Sequence, residues 1–208
     1  MKLLIAGAGG HGRVVADAAE ISESRWVEIA FLDDSYPELS VSGPWKVVGT
    51  FNDLARLAAS YDACIAAVSD ARLRLDLIER AQSAGFTIPV IVHPKATISR
   101  HCRLEVGSVI AAGGVVNIGS EVGIGCIINT GATVDHDCRL GAGVHVCPGA
   151  HLAGDVEIGT RTWFGIGAVA RQGVRIGADV TVGAGAVCVD DVRDGVVVVG
   201  APARERPL

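Results

Sequence analysis

Residues 134–152 read VDHDCRLGAGVHVCPGAHL, with an aliphatic residue at every sixth place: Val134, Leu140, Val146 and Leu152. Carried backward, the same step meets Ile98, Leu104, Ile110, Val116, Val122 and Ile128. Carried forward, it meets Ile158, Phe164, Ala170, Ile176, Val182 and Cys188. All sixteen are apolar in a chain that is 50% hydrophobic, which chance would produce about once in ten thousand even with six registers to choose from. The column four places on is equally constrained: Cys102, Ser108, Gly114, Ser120, Cys126, Ala132, Cys138, Val144, Ala150, Val156, Thr162, Ala168, Val174, Val180, Ala186 and Val192 hold nothing larger than valine. A period of six leaves no continuous apolar stripe at 3.6 residues per turn, so an α-helix is excluded. One bulky and one small inward residue per six suits short strands joined by tight corners, with Gly119, Gly141, Gly159, Gly177 and Gly183 expected to supply the corner conformations.

This pattern resembles the hexapeptide-repeat left-handed parallel β-helix, in which three hexapeptides complete one triangular coil of eighteen residues. The resemblance covers residues 98–193, slightly over five coils without a break in register. Such a solenoid stacks coils into a prism around a continuous apolar interior. Glycine follows the same division, with seven in residues 1–92 and twenty in 93–208. The chain therefore reads as two domains, 1–92 and 93–208.

Residues 1–92 alternate strand and helix. KLLIAGAG, WVEIAFLDD, DACIAAVS and TIPVIVHP read as strands; GRVVADAAEIS, NDLARLAAS and DARLRLDLIERAQSAG read as helices. The order predicts a small parallel α/β sheet of Rossmann-like type. Its first turn carries Gly7-x-Gly9-x-x-Gly12, and Asp33 and Asp34 close the next strand. Such glycines let a phosphate approach a helix N-terminus, and the acid that follows can reach a ribose hydroxyl. A tight strand-to-helix turn without a ligand is one reading and bound NAD another. Fewer than a hundred residues make only half of a doubly wound dinucleotide fold, and no dehydrogenase domain follows. One nucleotide, such as the UDP part of a sugar nucleotide, suits that size better.

With 208 residues and a net charge of −5, the composition is that of a folded protein with no electrostatic reason to bind nucleic acid or an anionic membrane surface. The N-terminus lacks the apolar core and cleavage site of a signal peptide, and no apolar run approaches bilayer length, so a cytoplasmic location is expected. The six cysteines form no C-x-x-C pair and read as small buried hydrophobes in a reducing compartment.

Three of the six histidines, His136, His145 and His151, fall within the quoted stretch. His136 stands two places after the inward Val134, and the other two each precede an inward residue, so all three belong to the outward set. Gly154 lies eighteen residues after His136. It should stack one coil above and leave space beside the imidazole. Solvated surface histidines are one reading. A zinc site like that of γ-class carbonic anhydrases uses three histidines shared between subunits, two of them close in sequence, and the spacings of nine and six here do not match it. A general base is the preferred reading, with His136 as the base and Asp137 to orient it.

Taken together, GAGGHGRVVAD, FLDD, HPKATIS, NTGATVDHDCRLGAGVHVCPGAHLAGDVEIG and VVVGAPAR resemble the bacterial NeuD/PglD-like sugar acyltransferases over essentially the whole chain. That family includes N-acetyltransferases of nucleotide-linked 4-amino-4,6-dideoxy sugars and sialic acid O-acetyltransferases. The resemblance implies His136 as base with Asp137 beside it, and His145 as a contact to acetyl-CoA. It implies Gly154 N–H as donor to the thioester oxygen, and the end from Gly200 to Arg204 as part of the CoA site, with the arginine pairing a phosphate. It places Gly9, Gly10, His11, Gly12, Asp33 and Asp34 at the nucleotide, with Ser69 and Asp70 as further lining. A lysine often found soon after the paired acids is absent, since FLDD runs on as SYPE. The resemblance further implies acetyl-CoA as co-substrate, no metal, and a homotrimer with sites between subunits. O-acetylation of a sialic acid, and a scaffold that binds sugar nucleotide without turnover, are the alternatives.

Overall fold

The computed structural model describes residues 1–22 and 26–206, which form two compact units, Met1–Pro94 and Lys95–Leu208. The first is an α/β unit. Strand β1 (Lys2–Ala6) lies between β2 (Glu28–Leu32) and, on its other side, Ala63–Ala66, with all pairings parallel. Four of its five residues, Leu3, Leu4, Ile5 and Ala6, are apolar and fully buried, as a central strand covered on both faces requires. Helix α1 (Gly10–Ile21) follows β1, and α2 (Ala71–Ser83) follows Ala63–Ala66. Three expectations are revised. TIPVIVHP gives only a two-residue strand, Ile91–Val92, which is not part of this five-stranded sheet. NDLARLAAS gives only a 3-10 turn at Phe51–Asp53 and one α turn at Leu54–Leu57. A short hairpin, Val41–Ser42 with Trp45–Val47, extends the sheet beyond β2; its two- and three-residue strands are too short to leave a period in the sequence.

The second unit is the left-handed β-helix. Two-residue strands recur every six residues and stack into three parallel sheets, each rung in register with the residue eighteen further on, as in Thr133↔His151 and Arg139↔Glu157. The first face runs through Thr133–Val134, the second through Arg139–Leu140 and the third through His145–Val146. From Ile110 to Cys188 the bulky inward column is buried without exception, while Ile98 and Leu104 at the start are half-buried. The small inward column fills the space beside the corners. Where it is a hydroxyl, that hydroxyl is satisfied by the backbone: Ser120 Oγ donates to Asp135 O at 2.6 Å and accepts Cys138 N–H at 3.0 Å. A buried polar group thus costs nothing there.

The corners correct one expectation about glycine. The left-handed position is held by Gly119 (φ +76°) but elsewhere by glycines such as Gly143 and Gly149. Gly141, Gly159, Gly177 and Gly183 are not left-handed; a β-carbon on the first three would collide with the backbone of the next coil, and one on Gly183 with the Val199 side chain. They are required by close approach of chains, not by φ. The chain closes with Val197–Val199 added beside Thr181–Val182, and Arg204–Glu205 returning antiparallel.

Candidate active site

His136 and Asp137 form the corner between the first and second faces. Asp137 sits at φ 59°, one of four residues other than glycine with positive φ among the described residues; its short polar side chain tolerates that conformation better than most. His136 Nδ1 and Asp137 Oδ2 are 2.9 Å apart. A carboxylate only accepts, so Nδ1 carries the proton and the neutral ring leaves Nε2 with a lone pair. The rest of the corner is pinned: Asp135 Oδ1 accepts both His136 N–H and Asn117 Nδ2, each at 2.9 Å.

The ring leans toward the coil above. A β-carbon on Gly154 would clash with His136 Cε1 and Nε2, and one on Gly119, in the coil below, would clash with Asp137 Oδ1. The pair thus occupies volume that side chains at both neighbouring rungs would otherwise fill. Its carboxylate hydrogen bond, opposed by desolvation and aided by the charges of Asp135, Asp137 and Asp155, holds the His136 imidazole above its ordinary pKa of 6.5. His136 remains accessible, its side chain 56% exposed, and Nε2 takes no hydrogen bond among the described residues.

His145 departs from the expectation of an exposed outward histidine: only 6% of it is accessible. Trp163, one rung above, meets its ring edge-on with centroids 4.4 Å apart. Asn129 Oδ1 accepts Thr130 N–H at 2.8 Å, which turns its Nδ2 toward His145 Nε2 at 3.0 Å; Nε2 is then the acceptor. His151 is exposed, with Nδ1 2.9 Å from Thr133 Oγ1. His145 lies on the third face, opposite the corner that carries His136 in the triangular section, so one chain does not bring the two together. At the C-terminal end, Gly200 adopts φ 92° and Arg204 pairs with Asp190 at 3.1 Å.

In the first unit the glycine turn is built tightly on one side and open on the other. A β-carbon on Gly12 would strike the Gly7 carbonyl and Phe31, whereas those on Gly9 and Gly10 would meet nothing within 4 Å. Gly9 caps α1 without a side chain, which leaves the helix N-terminus open to an anion. Asp33 Oδ2 accepts Ala8 N–H at 2.9 Å and Oδ1 accepts Ser35 N–H at 3.0 Å, fastening β2 to the turn. Burial opposes ionisation of Asp33, but these N–H groups and the Ser35 side chain outweigh it and hold the carboxyl below its ordinary value. Asp34 accepts Phe51 N–H at 3.0 Å, and Asp70 caps α2 through Leu73 N–H at 2.7 Å. Ser69 contributes its carbonyl to Arg74 Nη1 at 2.9 Å.

Arg74 is fully buried and was not singled out from sequence. The signal was present, because it takes an inward place on α2 with Leu77, Ile78 and Ala81. Burial, then the charge of Arg74, lowers the His11 pKa to about 4, so His11 is neutral at physiological pH. Among the described residues no group of three or more His, Cys, Asp and Glu is placed to hold a metal ion. No helix there is long and apolar enough to cross a membrane.

A small α/β unit followed in sequence by a left-handed β-helix, with an accessible histidine–carboxylate pair on one of its corners, defines an acyltransferase of the hexapeptide class. Residues 2–81 match the model of the PglD N-terminal domain. The acetyltransferase domain of PglB from Neisseria gonorrhoeae, solved in complex with acetyl coenzyme A, is 44% identical, with a TM-score of 0.94 over 99% of this chain and 98% of that one. A histidine-to-alanine mutant of GDP-perosamine N-acetyltransferase from Caulobacter crescentus, in complex with CoA and GDP-perosamine, is 39% identical, with a TM-score of 0.94 over 100% and 97%. WeeI from Acinetobacter baumannii is 25% identical, with a TM-score of 0.79 over 99% and 100%. Comparison with curated proteins returns no match. The chain belongs to the PglD-type family of hexapeptide-repeat sugar N-acetyltransferases.

Proposed function

We propose that this chain transfers the acetyl group of acetyl-CoA to the amine of a nucleotide-linked 4-amino-4,6-dideoxy sugar in the cytoplasm, with His136 as general base. The observation that carries the reading is the His136–Asp137 pair, whose contact at 2.9 Å engages Nδ1 and leaves Nε2 of an accessible ring free of the carboxylate. Relatives of 44% and 39% identity that bind acetyl coenzyme A, or CoA with GDP-perosamine, support the substrate classes.

The amine nitrogen attacks the thioester carbon, and Nε2 takes its proton as the C–N bond forms. The C–S bond then breaks, and the thiolate leaves with that proton. Asp137 holds the tautomer and stabilises the imidazolium. Gly154 N–H donates to no group among the described residues and serves as donor to the oxyanion. With both substrates held, the step becomes nearly unimolecular.

CoA runs along the outside of the prism past His145, and its phosphate takes Arg204. That arginine's exposed pair with Asp190 is cheap to exchange. Gly9, Gly10 and Gly12 cradle the diphosphate of the sugar nucleotide, UDP-linked by preference. His11, Asp33, Asp34, Ser69 and Asp70 shape that cradle. Since His136 and His145 lie on opposite sides of one prism, a reaction that uses both draws His145 from a second chain, in keeping with a homotrimer.

Thiol release from acetyl-CoA, measured against UDP-, dTDP- and GDP-linked 4-amino-4,6-dideoxy sugars and free sialic acid, tests the reading. Turnover with an amino-sugar nucleotide is expected. Turnover with sialic acid alone would replace it by O-acetylation, and none with any acceptor would leave a binding scaffold.

A further inference from the structure

Among the described residues, four other than glycine take the left-handed corner conformation: Asp137, Asp155, Arg161 and Asp179. At the equivalent corner of most hexapeptides a glycine stands, for example Gly125, Gly131, Gly143 and Gly149. Three of the four have a visible task. Asp137 orients His136, and Arg161 and Asp179 grip each other between coils through two hydrogen bonds. Asp155 is the remaining one. Its carboxylate enters no hydrogen bond or ion pair among the described residues, and it is exposed.

Its place in the corner is well determined. Asp155 N–H donates to His136 O at 2.9 Å, and Asp137 N–H makes the same bond to Ile118 O at 3.0 Å, so the corner rungs stack in strict succession. Asp155 therefore sits one coil above Asp137, about 4.8 Å away along the axis. It directly follows Gly154, the residue against which His136 Nε2 rests. The two other carboxylates of the corner are committed to His136 Nδ1 and to His136 N–H with Asn117. Asp155 is the uncommitted acceptor on the side to which Nε2 leans.

We infer that Asp155 is a further catalytic residue that binds the acceptor's amine and makes the site select an amine over a hydroxyl. The inference rests on the acetyltransferase reading above. An amino sugar reaches the site largely as an ammonium, which a carboxylate attracts and a hydroxyl acceptor does not present. The ammonium releases one proton to solvent before it reacts. On attack the nitrogen lone pair forms the C–N bond and the nitrogen becomes positive. Asp155 accepts one of its N–H groups and stabilises that charge, while the other proton passes to His136 Nε2. The C–S bond breaks, and the thiolate takes the proton from His136. A hydroxyl nucleophile keeps no second proton and gains nothing comparable.

The test compares Asp155→Asn and Asp155→Gly with the unsubstituted protein. Glycine suits the left-handed corner, so the second variant is expected to fold with its melting temperature unchanged or raised. Binding of a nucleotide-linked 4-amino-4,6-dideoxy sugar and of its 4-hydroxy counterpart is measured calorimetrically without acetyl-CoA, and kcat/KM is measured for the amine. The expected result is a loss of about tenfold in the amine-over-hydroxyl binding ratio and at least tenfold in kcat/KM for the amine, with hydroxyl binding unchanged. An unchanged ratio and kcat/KM in folded variants, beside an active unsubstituted protein, would overturn the role of Asp155 alone. No turnover by the unsubstituted protein with any amine would overturn the acetyltransferase reading and this inference with it.

Discussion

His136 crowds the space that a side chain on Gly154 would need: a β-carbon on Gly154 would clash with Cε1 and Nε2 of the imidazole one coil below. The absence of a side chain at 154 therefore fixes where the base stands.

A Gly154→Ala substitution tests that relationship. Gly154 is not among the positive-φ glycines, so alanine suits the backbone and the conflict is confined to the His136 ring. Thermal stability should change little, while kcat falls about a hundredfold as the ring is displaced. In a His136→Ala background, adding Gly154→Ala should cost almost nothing more. Additive losses in the double variant would show that Gly154 acts independently of His136.

The pH dependence of turnover follows from Asp137. The base must be unprotonated to act, and the Asp137 hydrogen bond, first among its causes, raises the His136 pKa. Activity should therefore rise with pH through an apparent pKa above 6.5 and fall away in acid. Asp137→Asn removes the charge, so the acid limb should move to lower pH while the plateau drops as the tautomer is lost. NMR titration of the His136 ring follows the same shift directly. An acid limb left in place by Asp137→Asn would assign it to another group.

Much of this was legible because a solenoid repeats. A period of six over sixteen positions fixes which side chains point inward, and eighteen places Gly154 over His136 without any coordinates. The same arithmetic puts Trp163 over His145, which was a readable sign that His145 would be covered. The α/β unit offered no such ruler. That Asp33 and Asp34 spend oxygens on Ala8, Ser35 and Phe51 N–H groups depends on loop paths that no local pattern encodes. Arg74, buried on an otherwise apolar face, was masked by the arginines around it in ARLRLDLIER.

The glycine turn separates fold from ligand. Gly12→Ala should destabilise the first unit by about 2–3 kcal/mol, because the conflict is with the Gly7 carbonyl and the buried Phe31 ring. Gly9→Ala meets open space, so its melting temperature should stay within a degree or two while KM for the nucleotide sugar rises several-fold. Denaturation curves and initial rates on the two variants distinguish these effects.

Within the prism, Phe164 is the one aromatic side chain of the inward column and is fully buried. Phe164→Ala should cost about 3–5 kcal/mol, since stacked coils are held by their own backbone ladders and cannot collapse into the gap. Chemical denaturation monitored by far-UV circular dichroism gives the value. A cost below about 1 kcal/mol would mean that the coils relax around the cavity.

The central claim is that His136 removes the proton of an amine attacking acetyl-CoA. Its most direct test is the rate of thiol release with a nucleotide-linked 4-amino-4,6-dideoxy sugar, compared between the unsubstituted protein and a His136→Ala variant shown to melt at the same temperature. The account predicts turnover in the first and a kcat lower by about a hundredfold or more in the second, with KM for acetyl-CoA little changed. A His136→Ala protein that keeps full turnover would contradict it.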